Sequence, residues 1–177
     1  MIPISNLGNG PAGLDPNAAT SQLAGAPGQD GWMIETTIEC WHGFLRGEVD
    51  LDEVLHEDCV FWSPVLFRPQ EGRDLTRLYL TAAYQIFPGD QGESREGPDP
   101  TGGNSSFRYT KQILDGNYAA LEFETSIDGV AVNGVDLITC DADGQIIEFK
   151  VLLRPRRAVE KVQEQMAAIL EALADGS

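Results

Sequence analysis

The sequence predicts an α+β fold: helices first, then an antiparallel meander, then a closing helix. Three observations carry this. Apolar residues recur at helical spacing after residue 32, and four β-rich runs follow one another between residues 106 and 154. The turns "GN", "DGV" and "ADG" between those runs are short enough to join antiparallel neighbours. Finally, "RRAVEKVQEQMAAILEALA" places Val159, Val162, Met166, Ile169, Leu170 and Leu173 on one helical face.

In chain order, residues 1–30 are rich in Gly, Pro, Ala and Asn, a composition that cannot offset the entropy of ordering, so a flexible tail is expected. Residues 31–177 are read as a single domain. Ile34, Ile38, Trp41 and Leu45 form the first helical stripe, closed by Gly47. "DLDEVLH" predicts a short second helix with Asp50 as N-cap and His56 at its end. "CVFWSP" reads as a strand stopped by Pro64, and "RDLTRLYLTAAYQIF" as a helix with Leu75, Leu78, Tyr79, Ala82 and Ile86 on its inner stripe. The Gly/Pro-rich stretch 89–106 is a long loop of the kind found as lids or insertions. The strands "SFRYTKQILD", "YAALEFETSI", "AVNGVDLITCD" and "QIIEFKVLLR" come next, and the C-terminal amphipathic helix spans 156–174.

Composition narrows the function. The chain has 28 acidic and 12 basic residues, a formal charge of −16. Such a chain repels phosphate backbones and anionic bilayers, so neither nucleic acid nor a membrane surface is an expected partner. No stretch approaches the roughly 20 apolar residues of a membrane span, and the N-terminus lacks a signal-peptide pattern. Cys40, Cys59 and Cys140 fit neither a disulfide framework nor a zinc site, and Asp141 and Asp143 read as turn formers before Gly144. No metal and no cofactor is expected, and the protein is read as cytoplasmic.

One residue breaks the pattern. Asp136 stands among Val135, Leu137 and Ile138 in a predicted strand, and if it faces inward, alternation turns Val132, Gly134, Ile138 and Cys140 inward with it. A carboxylate there must be hydrogen-bonded, paired or protonated. Two segments, "LHEDCVFWSPV" and "VDLITCDADGQIIEFKVLLRP", resemble the nuclear transport factor 2-like superfamily, in its SnoaL-like and ketosteroid isomerase-like branch, over roughly residues 32 to 155. The resemblance implies a curved antiparallel sheet wrapped around the N-terminal helices as a cone with an internal apolar pocket. It also implies a homodimer through the outer sheet face, which carries Tyr118, Glu122, Glu124 and Ser126.

By that resemblance Asp136 falls on the isomerase Asp that stays protonated and donates to an oxyanion, a carboxylic acid held neutral by its apolar site. Other isomerase features depart: Ser63 before Pro64 replaces the basic Asp, and Cys40 or Trp41 stands where the oxyanion Tyr would be. Gly134 replaces the Arg of the related epoxide hydrolases, and the dehydratase histidines find no match. Asp136 and Ser63 are therefore the candidate catalytic residues, with the Trp41 indole as a further orienting donor. The expected pocket is lined by Cys40, Trp41, Phe44, Phe61, Leu121, Phe123, Ile138, Phe149, Val151 and Leu153. Two functions fit it: a cofactor-free isomerase, dehydratase or cyclase acting on a small apolar carbonyl-bearing molecule, or a non-catalytic ligand-binding or dimerisation module. A polar group within about 2.6–3.2 Å of Asp136 would favour the first.

Overall fold

The computed structural model describes residues 33–87 and 107–175, with side chains described to residue 172. The expected tail (residues 1–30), the loop at 89–106 and the Leu173 side chain lie outside the described residues. Four helices and six strands follow one another: α1 (Met33–Leu45), α2 (Leu51–Val54), β1 (Leu55–Trp62), β2 (Gln70–Glu71), α3 (Arg73–Ile86), β3 (Arg108–Asp115), β4 (Tyr118–Ile127), β5 (Val130–Cys140), β6 (Ile146–Arg154) and α4 (Arg156–Asp175). The fold is the expected α+β class, with a curved, unclosed sheet in the order β2-β1-β6-β5-β4-β3.

α1 buries Ile34, Thr37, Ile38 and Trp41. Thr37 Oγ1 contacts both Met33 O and Gly144 O at 2.9 Å, so its single proton ties the helix either to its own turn or to the turn between β5 and β6. That turn is held by Asp141 Oδ1, which accepts from the backbone N–H groups of Asp143 and Gln145 at 2.9 Å each. Asp141 is thus a turn former, as its sequence suggests. α1 closes at Gly47, whose φ of 75° gives the left-handed step that L side chains resist. Asp50 caps α2 by accepting from Asp52 N. α2 has four residues and stops before Leu55, so His56 belongs to β1 and not to a helix end; its Nδ1 accepts from Asp58 N at 3.1 Å.

Two further expectations are corrected. α3 buries Thr76, Leu80, Ala82 and Ile86, while Leu75 and Leu78 are exposed. Both stripes have helical spacing, and a polar anchor decides between them: Thr76 Oγ1 donates to Cys59 O on β1. The sheet is also not wholly antiparallel, because β1 and β6 pair in parallel. These strands lie far apart in sequence, so no hairpin dictates their direction.

Two apolar clusters fill the concave side. One gathers Ile34, Ile38, Trp41, Leu121, Ile138 and Phe149 under α1. The other gathers Ala82, Phe123, Ile127, Val132, Val162 and Met166 under α3 and α4. Among the described residues, no helix is long and apolar enough to cross a membrane.

Candidate active site

Between the clusters lies a cavity of about 70 Å³. Among the described residues its one carboxyl group is that of Asp136 in β5, 5 % exposed. Alternation along β5 sets its direction, burying residues 132, 134, 136, 138 and 140. Of the expected lining, Trp41 and Phe44 (α1), Phe123 (β4), Phe149 and Val151 (β6) do line the cavity. Trp41 packs against Phe149 with ring centroids 4.8 Å apart and against Phe44 at 5.4 Å.

The remaining expected residues do not line it. Cys40 is exposed, because the inward face of α1 runs through residues 34, 37, 38 and 41. Phe61, Leu121 and Ile138 point to the concave side but are closed over by packing. Leu153 packs with the α3–α4 cluster, beside Gly134. Ser63 lies just beyond β1, and its Oγ accepts from Val65 N at 3.3 Å. Asn133, on the outer face of β5, donates to Glu122 Oε1 and Phe123 O. Arg156 pairs with Glu160 on α4 rather than facing the cavity.

The residue that sequence reasoning missed is Tyr109 in β3. Its hydroxyl donates to Asp136 Oδ2 at 2.7 Å and accepts from Trp41 Nε1 at 2.8 Å. Simple alternation would have turned it out, since Ile113 is exposed and Lys111 lies opposite Glu122 of the outer face. The register between β3 and β4 shifts between Tyr109 and Lys111, and Tyr109 then pairs with the inward Phe123. A bulge of this kind re-aims a side chain. α3 supplies Leu80, Ala83 and Tyr84, and Phe87 and Phe107 complete the aromatic wall.

Electrostatics follow from this burial. Desolvation pushes the Asp136 carboxyl up to about 7, partly opposed by the Tyr109 hydrogen bond, which favours the ionised form. Tyr109 is held well above its ordinary value by burial, by the Asp136 charge and by its hydrogen bond to Asp136, so it stays protonated. His42 packs on the Tyr109 ring at 5.5 Å and contacts the Gln112 amide at 3.3 Å; burial lowers its pKa. Among the described residues, no three His, Cys, Asp or Glu side chains come together as a metal site requires.

The fold defines the class. The chain has the fold of the nuclear transport factor 2-like superfamily. A steroid delta-isomerase from Pseudomonas aeruginosa superposes with a TM-score of 0.67 at 26% identity, covering 81% of this chain and 95% of that one. An uncharacterised bacterial protein with a cystatin-like fold from Silicibacter pomeroyi gives 0.58 at 26% identity, over 81% and 85% of the two chains. A protein of unknown function with the same fold from Mesorhizobium loti gives 0.55 at 20% identity, over 73% and 98%. No protein-family model and no curated protein matches the sequence.

Proposed function

We propose that this chain is a cofactor-free isomerase or lyase for a compact apolar carbonyl compound, with Asp136 as general acid and base. The observation that carries this reading is the 2.7 Å contact between Tyr109 and a buried Asp136 in an otherwise apolar cavity. A carboxyl that titrates near neutrality can both take and return a proton, an ability worth typically ~10²–10⁴-fold. Ionised Asp136 takes a proton from the carbon next to a carbonyl. The C–H electron pair becomes a C=C bond, and the carbonyl π pair moves to oxygen. The neutral acid then returns that proton to another carbon, which isomerises the substrate, or to a departing hydroxyl, which leaves as water.

Cavity size selects the substrate. About 70 Å³ is small beside the roughly 300–1,000 Å³ of sites for drug-sized ligands. A single-ring or short-chain molecule is the expected fit, smaller than a steroid. The test is hydrogen exchange at the α-carbons of small cyclic ketones in D₂O, followed by proton NMR. Wild type is expected to accelerate exchange and Asp136→Asn to lose the acceleration; equal exchange by both would refute the assignment.

A second reading, a ligand-binding module, draws on one observation: the Trp41 and Tyr109 donors are both engaged inside the protein. Mass spectrometry of a tightly held small molecule from wild type but not from Asp136→Leu, without ketone exchange, would favour it. Under either reading the outer sheet face, with exposed Ile113, Tyr118 and Leu152, is proposed as a homodimer contact. Sedimentation showing monomer alone would exclude that contact.

A further inference from the structure

The direction of hydrogen bonding along Trp41, Tyr109 and Asp136 is fixed at its first member. An indole N–H donates and never accepts. Its 2.8 Å contact therefore uses the Tyr109 oxygen as acceptor. Tyr109 has a single hydroxyl proton, and its other polar contact is Asp136 Oδ2 at 2.7 Å. Were Asp136 to donate to Tyr109, the tyrosine oxygen would accept twice and its own proton would need a further acceptor. No described hydrogen bond supplies one.

We propose that Trp41 and Tyr109 are positioning residues that hold Asp136 Oδ2 as an acceptor in both protonation states, so that the proton Asp136 exchanges resides on Oδ1. Tyr109's own proton is then never offered to a ligand. Asp136 presents the cavity with one donor when it is neutral and one acceptor when it is ionised. This rests on Asp136 being the group that meets the ligand, as proposed above, and it assigns the site a one-point polar recognition. The surroundings are compatible with that role. Of the titratable side chains, Tyr84 from α3 and Tyr109 from β3 line the cavity with Asp136, and His42 of α1 packs against the Tyr109 ring. Among the described residues, no Lys, Arg or Glu lines it.

The test is the titration of Asp136 in the full chain without ligand, read by carbon-13 NMR of side-chain-carboxyl-labelled aspartate and assigned by loss of the signal in Asp136→Asn. Removing a hydrogen bond that favours the carboxylate should raise the midpoint. Tyr109→Phe is expected to raise it by about one pH unit or more. Replacing Tyr109 with 3-fluorotyrosine, which keeps the shape but sharpens the donor, should lower it. Trp41→Phe should raise it by less than Tyr109→Phe, because the indole acts through Tyr109. An unchanged or lowered midpoint in Tyr109→Phe, or a raised one with fluorotyrosine, would overturn the proposal. If Tyr109→Phe does not fold, the fluorotyrosine protein decides alone. The catalytic reading fails separately: midpoints that move as stated in a protein without ketone exchange retain the relay and reject the enzyme.

Discussion

The two faces of one sheet handle charge in opposite ways. On the convex face of strands β3 to β6, Arg108 pairs with Glu124 at 2.9 Å, Lys111 with Glu122 at 3.1 Å and Lys150 with Glu148 at 3.1 Å. All are substantially solvent-accessible, so water and salt screen them. On the concave face, one residue over in the same strands, Asp136 has no cation beside it among the described residues. Its partners are a tyrosine hydroxyl and, through that, an indole. Hydrogen bonds from Asn133 and Lys111 hold the convex Glu122 below its ordinary value, whereas desolvation pushes the concave Asp136 up to about 7. In a chain of formal charge −16, then, the buried Asp136 carboxyl is set apart by its surroundings and not by its residue type.

The contrast can be tested by degrees. The largest effect is expected from the concave packing: Phe149→Ala, at a position 1 % exposed, should destabilise the protein by about 3–5 kcal/mol in denaturant titration. Close behind comes the pH dependence. With the folded value of Asp136 near 7 and its ordinary value 3.8, the folded chain holds a proton that the unfolded chain releases. Its contribution to stability is full below about pH 4 and is lost as pH rises through about 7. At about 1.4 kcal/mol per pH unit this amounts to about 4 kcal/mol between wild type and Asp136→Asn, measured as the change in their stability difference from acid to neutral pH. No such change would place the folded Asp136 in the ordinary carboxylate range.

Gly134 sharpens the comparison. A Cβ there would meet the Phe123 ring and come within 2.7 Å of Leu153 Cδ2. Gly134→Ala should therefore cost about 1–3 kcal/mol by overpacking, checked by thermal unfolding. The smallest effect belongs to the convex face: Lys111→Gln should leave the unfolding midpoint nearly unchanged, with any residual shift disappearing in high salt.

What the sequence made legible follows from local rules. Period-two alternation put Asp136 on one face with Val132, Gly134, Ile138 and Cys140, the isomerase resemblance placed Phe123 and Phe149 inward, and "YAALEFETSI" matches β4 from Tyr118 to Ile127. Asp50 and Gly47 announced a helix start and a helix end through cap chemistry. What stayed hidden depends on how elements meet. The choice between two stripes on α3 rests on the contact of Thr76 with Cys59, 17 residues away. Tyr109 was missed because its inward aim comes from a shift in the β3–β4 register, which no spacing within "SFRYTKQILD" encodes. No Tyr stands at the first-helix positions Cys40 and Trp41, and the tyrosine that meets Asp136 comes from β3.

The central claim is that the buried carboxyl holds a proton up to neutral pH. Infrared difference spectroscopy of wild type against Asp136→Asn across pH 4 to 9 tests it most directly. The account expects a protonated-acid carbonyl band that persists at pH 5, fades with a midpoint near 7 and is missing from the variant. A band already lost by pH 5 would show that Asp136 is an ordinary ionised carboxylate and would contradict the account.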